Sequence, residues 1–187
     1  MKIKYIPNIL TLSRILIVPF FIVSVLSENF SIRVMSILLF FLGSFSDFLD
    51  GYIARKYNMI TNFGKFIDPL ADKILILAAF FILNKIYPTY VPFWMIGVIL
   101  SRDIIITIFR FYLKKNNSIL KTSIIAKRKT LFQIILIHLL LIFHVFKESI
   151  PFDMLLSMQI IYISMFICVV FTVFTGLHYL FINTYDL

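Results

Sequence analysis

Residues 47–73 read DFLDGYIARKYNMITNFGKFIDPLADK. Four carboxylates punctuate them: Asp47 and Asp50, three residues apart, and Asp68 and Asp72, four apart. In an α-helix either spacing puts the two side chains on one face. Apolar runs flank the stretch, residues 32–45 before it and 74–83 after it. Acidic side chains within or at the edge of membrane helices are costly, and by default they mark a functional site. Two such pairs brought together repel each other unless a cation sits between them. Carboxylate oxygens are hard ligands, suited to magnesium, manganese or calcium. A two-metal phosphoryl-transfer site is therefore the sharper reading of the residues alone. The plainer one is a structural network in which the acids pair with Arg55, Lys65 and Lys73. Four acids in two helical pairs, with Gly51 and Gly64 among them, favour the site.

Working outward, the chain has 187 residues, 61% of them hydrophobic, and a mean hydropathy of +0.99. Soluble domains are roughly 45–50% apolar. So much apolar surface cannot be buried in one small core, and lipid must cover the rest. The lone Cys168 excludes an internal disulfide, and its place in an apolar run makes it a packing residue. The N-terminal apolar run has no small-residue cleavage site and is interrupted by Arg14, so it reads as a retained first helix. A net charge of +9 would suggest nucleic acid for a soluble protein. Here it suggests an anionic membrane surface and phosphate-bearing substrates instead, with no nucleic acid.

Apolar runs of roughly 17–25 residues can span a bilayer. Six are expected, at 9–26, 32–52, 66–83, 91–113, 131–146 and 156–181. The fold class is then an all-α polytopic membrane protein, a single domain over residues 1–187 without internal repeats. Lys2, Lys4, Arg55, Lys56, Lys65, Lys114, Lys115, Lys121, Lys127, Arg128 and Lys129 fall on one side of such a topology; Arg33, Lys85 and Lys147 fall on the other. The positive-inside rule puts both termini and the acidic turn in the cytoplasm. The localisation expected is a bacterial inner membrane, with the site facing the cytoplasm.

The acidic stretch resembles the signature of the CDP-alcohol phosphotransferase family. Asp47, Asp50, Gly51, Ala54, Arg55, Gly64, Asp68 and Asp72 stand at its spacing, a match of eight fixed residues. These integral membrane enzymes displace CMP from a CDP-linked lipid with an alcohol. The resemblance implies that Asp47, Asp50, Asp68 and Asp72 hold two divalent ions, magnesium or manganese. It also implies that Asp72 accepts the proton of the attacking hydroxyl, and that Gly51, Ala54, Arg55 and Gly64 meet the CDP group. Upstream, Pro7-Asn8, Thr11 and Arg14 resemble the start of the family's bacterial phosphatidylglycerophosphate synthases. That resemblance adds Asn8 and Thr11 to the CDP-lipid site. Arg14, three residues after Thr11, is either a snorkelling surface residue or a phosphate ligand facing the bundle.

Arg102 sits in mid-run, costly there unless paired or hydrated; Asp103 is adjacent to it. Arg110 lies two turns further on, about 80° round the axis. With a lysine from the next segment, two such arginines make an anion clamp. The resemblance assigns Arg102, Arg110 and Lys127 to the phosphate of glycerol 3-phosphate. The expected reaction is then CDP-diacylglycerol plus glycerol 3-phosphate giving phosphatidylglycerophosphate and CMP. Membrane lipid surrounds the enzyme, and a homodimer is left open.

Three alternatives stand beside this reading. Ser101-Arg102-Asp103 is shared with the family's cardiolipin synthases, whose acceptor is phosphatidylglycerol. A membrane cation transporter would place its polar groups near the midplane and often shows an inverted repeat; the acids here gather at one face. A catalytically inert lipid-binding scaffold has no need of all four aspartates. His138, His144 and His178 lack metal-ligand spacing and read as packing residues.

Overall fold

The computed structural model describes residues 6–56, 62–115, 124–148 and 154–184. The side chains at 6–11, 47–48, 50–56, 62–72, 111, 114–115, 124–127, 154–156 and 183–184 lie outside that description. There are six helices and no strand among the described residues. They are α1 (Ile6–Val25), α2 (Phe30–Lys56), α3 (Asn62–Ile86), α4 (Phe93–Lys115), α5 (Ile124–Phe146) and α6 (Met154–Thr184). The six expected apolar runs each fall on one helix.

Two boundaries differ from the expectation. α3 begins at Asn62, so Gly64 stands in its first turn and not in the connection. α5 begins at Ile124, so Lys127, Arg128 and Lys129 lie in its first two turns and are not part of a basic loop. Hydropathy ends a run at the first charges, whereas lysine and arginine are good helix formers. Lys129 is moreover buried and ion-paired, which draws the helix start into the fold.

The helices form two compact units. One comprises Met1–Ile82 and Ile137–Pro151, the other Leu83–Leu136 and Phe152–Leu187. In the first, α1 packs along α2. Arg14, Val18, Phe21 and Val25 recur at helical spacing and are buried. Phe21 meets Phe40 at 5.6 Å between ring centroids, and the His138 ring lies 4.8 Å from Phe40. A His144 ring nitrogen is 3.3 Å from the Val25 carbonyl, tying the end of α5 to the end of α1. Arg33 pairs with Glu148 at 3.3 Å. In the second unit α4 packs on α6, with Phe109 edge-on to Tyr179. Phe132 of α5 meets Phe171 of α6 at 5.5 Å.

What the helices turn outward is apolar. Leu12, Leu16, Phe20 and Val23 form an exposed stripe on α1, and Ile160, Ile163, Ile167, Val170, Phe174 and Phe181 line α6 in the same way. Arg14 and Ser24 of α1 and Ser157, Thr172 and Thr175 of α6 are buried. A helix in water shows the reverse arrangement. Arg128–Phe146 and Ser157–Ile182 are long and apolar enough to cross a membrane, and Leu12–Val25 and Phe30–Ser46 are shorter apolar stretches.

Candidate active site

The eight signature residues lie on two helices, Asp47, Asp50, Gly51, Ala54 and Arg55 on α2 and Gly64, Asp68 and Asp72 on α3. Their side chains, and those of Asn8 and Thr11 on α1, are outside the described set. The packing beside them is described. Gly43 of α2 faces Leu75 of α3 so closely that a Cβ added at Gly43 would stand 2.6 Å from Leu75 Cδ2. With no side chain at 43 the leucine methyl lies against the α2 backbone, and any larger residue would require it to shift.

This contact fixes the sense of the two helices. Gly43 lies thirteen residues before the end of α2, and Leu75 thirteen residues after the start of α3. Each length is about 20 Å of helix. Run in parallel, the helix ends to be joined would be about 40 Å apart. The link from Lys56 to Asn62 reaches roughly 22 Å at most. α2 and α3 are therefore antiparallel. Asp47 follows Gly43 by four residues and Asp72 precedes Leu75 by three, so both lie about one turn from the contact, on the same side of it.

Arg14 also converges on Gly43. Its side chain is buried, 1% exposed, and its Nε donates to the Gly43 carbonyl at 3.2 Å. Arg14 is thus turned into the helix pair and is not a snorkelling surface residue. A guanidinium held there places fixed positive charge one turn from Asp47.

The arginines of α4 belong to the other unit. Arg102 Nη1 lies 3.2 Å from Asp103 Oδ1, and Nη2 donates to Thr175 Oγ1 at 3.2 Å. Asp103 accepts from Lys129 Nζ at both oxygens, at 2.7 and 2.8 Å. Lys129 is buried. Arg110 is exposed, with its guanidinium 5.7 Å from the Tyr179 ring centroid, a cation–π contact. Eight residues along α4 separate it from Arg102, about 12 Å of axial rise. Lys127 lies in α5 with its side chain outside the described set. Sequence reasoning missed Lys129, Thr175 and Gly176. A lysine among other lysines and a Thr-Gly pair in an apolar helix carry no signal by themselves.

Among the described residues no three His, Cys, Asp or Glu side chains gather as metal ligands. Cys168 is buried, as a packing residue would be. His178 stacks on Phe174, and His138 and His144 pack within the first unit.

Helices that turn apolar faces outward and keep arginine, lysine and aspartate inside have the pattern of a membrane-embedded protein that handles charged groups. The chain belongs to the CDP-alcohol phosphatidyltransferase family, whose sequence profile matches residues 4–178. It is 37% identical over 185 residues to the CDP-diacylglycerol–glycerol-3-phosphate 3-phosphatidyltransferase of Bacillus subtilis (strain 168), a match covering 92% of each chain. A Rickettsia bellii protein of the same name is 34% identical over 174 residues, again 92% of each chain. One from Rickettsia felis is 38% identical over 140 residues, 74% of this chain and 76% of the relative.

Proposed function

We propose that this protein is an integral membrane enzyme that transfers the phosphatidyl group of CDP-diacylglycerol to glycerol 3-phosphate, giving phosphatidylglycerophosphate and CMP. The observation that carries the reading is the intact eight-residue signature in a chain similar along 92% of its length to an enzyme of that name. The names of the relatives favour glycerol 3-phosphate over phosphatidylglycerol as acceptor.

The donor set of four aspartates is all oxygen and all anionic, which fits magnesium or manganese. Asp47, Asp50, Asp68 and Asp72 would hold two such ions, which when bound neutralise the diphosphate and the departing CMP. The antiparallel α2–α3 contact at Gly43 and Leu75 supports this, since Asp47 and Asp72 then lie on one side of that contact. Asp72 takes the proton of the acceptor hydroxyl. The freed oxygen attacks the phosphorus that bears the diacylglycerol, and the bond from that phosphorus to the oxygen of CMP breaks. Arg55, with Gly51, Ala54, Gly64, Asn8 and Thr11, binds the CDP-lipid. Arg102, Arg110 and Lys127 bind the acceptor phosphate. Three cations, Lys127, Arg128 and Lys129, stand in the first turns of α5, where the helix dipole favours anions. That placement supports an anion site there.

The six apolar runs support six membrane spans, and the lysine and arginine distribution supports placing both termini and the site at the cytoplasmic face. The test is CMP release by the purified protein from CDP-diacylglycerol with glycerol 3-phosphate or phosphatidylglycerol as acceptor. Turnover with glycerol 3-phosphate is expected, and Asp68→Asn and Asp72→Asn should each abolish it while the protein still inserts and folds. Substantial magnesium-dependent turnover in both variants would sink the metal assignment. Turnover with phosphatidylglycerol alone would sink the choice of acceptor.

A further inference from the structure

The charged cluster of the second unit is built asymmetrically. Lys129 Nζ lies within 2.8 Å of both Asp103 oxygens, while Arg102 reaches Asp103 through one bond at 3.2 Å. The other Nη of Arg102 is tied to Thr175, whose hydroxyl in turn donates to the Thr172 carbonyl at 2.9 Å. Gly176 lies against the stem of Arg102: a Cβ there would stand 2.9 Å from Cγ and 3.0 Å from Nε. Arg102 Nε is buried with no hydrogen-bond partner among the described residues.

An arginine beside a carboxylate normally settles into a two-pronged pair with parallel N–H···O bonds. Such a pair would turn the guanidinium toward Asp103 and occupy its fork. Here a buried lysine already holds both carboxylate oxygens, and α6 holds the guanidinium from the other side. A half-buried guanidinium is stabilised by an anionic ligand.

We propose that Lys129, Thr175 and Gly176 are positioning residues: they keep Arg102 out of a two-pronged pair with Asp103 and so leave its remaining N–H groups for the acceptor's phosphate. The proposal rests on the reading of Arg102 as an acceptor ligand. Lys129 acts by saturating Asp103. Thr175 anchors one end of the fork. Gly176 supplies the space in which the stem lies. Each acts through Arg102, so none should affect the CDP-lipid.

The test is steady-state kinetics of CMP release with the full-length enzyme in mixed micelles, varying each substrate separately. Lys129→Met and Gly176→Ala should raise KM for glycerol 3-phosphate by about tenfold or more, the effect of losing one charge-assisted hydrogen bond. KM for CDP-diacylglycerol should not change. Lys129→Arg should recover most of the loss, because it keeps a cation on Asp103. The double variant Asp103→Asn, Lys129→Met should also recover, because the carboxylate that would capture Arg102 is gone. A purely structural role for the ion pair predicts the opposite, a double variant at least as impaired as Lys129→Met. Should Lys129→Met fail to accumulate, Gly176→Ala and Thr175→Val leave the ion pair intact and decide by the same split in KM. Unchanged KM in these variants, while Arg102→Gln raises it, would overturn the positioning role and leave Arg102 as a ligand. Unchanged KM in Arg102→Gln would overturn both.

Discussion

Gly43→Ala tests the helix pair on which the candidate metal site depends. The added methyl would lie 2.6 Å from Leu75 Cδ2, and ordinary contact begins at 3.4 Å, so about 0.8 Å of movement is required. Leu75 is 2% exposed, so its side chain must move against close-packed neighbours. The strain therefore falls partly on the helices. Overpacking of this kind costs about 1–3 kcal/mol. The larger effect should be on turnover. Asp47 and Asp72 each lie about one turn from the contact, so opening it separates the two halves of the acid cluster. Misplacement of reacting groups by about 1 Å costs on the order of a hundredfold. We expect kcat to fall about ten- to a hundredfold in the CMP-release assay. The melting temperature should fall modestly, and KM for glycerol 3-phosphate should stay unchanged. The Arg14 bond is to the Gly43 carbonyl and survives the substitution. Leu75→Ala in the same chain removes the clashing methyl groups and should restore much of the turnover. Wild-type kcat in Gly43→Ala would refute the claim that this contact sets the spacing of the carboxylates.

Arg110→Ala should raise KM for glycerol 3-phosphate about tenfold, since a charge-assisted hydrogen bond is lost, with Arg110→Lys rescuing in part; equal KM in all three forms would remove Arg110 from the acceptor site. The hydrogen bond from Arg33 holds the exposed Glu148 carboxylate below its ordinary value of 4.5. A depressed carboxylate stabilises the fold above the unfolded value and loses that contribution as pH falls through the folded one. Thermal melts of wild type and Glu148→Gln should accordingly differ slightly at neutral pH and converge well below pH 4.5; a gap that persists there would contradict the pairing. Single cysteines at positions 58 and 121, placed in a Cys168→Ser background, should be labelled only from the cytoplasmic side of sealed vesicles. Labelling from the outer side would overturn the proposed orientation.

The helices were legible because lipid imposes a length and a polarity that composition cannot disguise. The signature was legible because eight residues at fixed spacing lie in one stretch of chain. Boundaries were less so. The start of α5 was missed by hydropathy because Lys127, Arg128 and Lys129 look like a loop until Lys129 is seen buried against Asp103. Arg14 could not be assigned a direction from its neighbours, since a long side chain in an apolar helix can snorkel or turn inward. Its position three residues from Thr11 fixes a face and not what that face meets. The Gly43–Leu75 contact joins residues thirty-two apart, and neither carries a signal of its own.

Each unit sets an arginine of one helix against a glycine of another. Arg14 of α1 meets α2 at Gly43, and Arg102 of α4 meets α6 at Gly176. A guanidinium inside an apolar helix pair needs both hydrogen-bond acceptors and room for a long stem. At Gly43 the backbone carbonyl is the acceptor while the Leu75 side chain takes the volume a Cβ would fill, and at Gly176 the vacated volume takes the stem while the adjacent Thr175 hydroxyl serves the fork. Alanine at either position would add one carbon and would keep the helix, yet its effects should diverge. At Gly43 the new methyl meets a leucine and strains the helix contact, which should appear in kcat. At Gly176 it meets the arginine and turns the guanidinium, which should appear in KM for the acceptor. That division follows from what each glycine touches, and the sequence alone presents the two as equivalent.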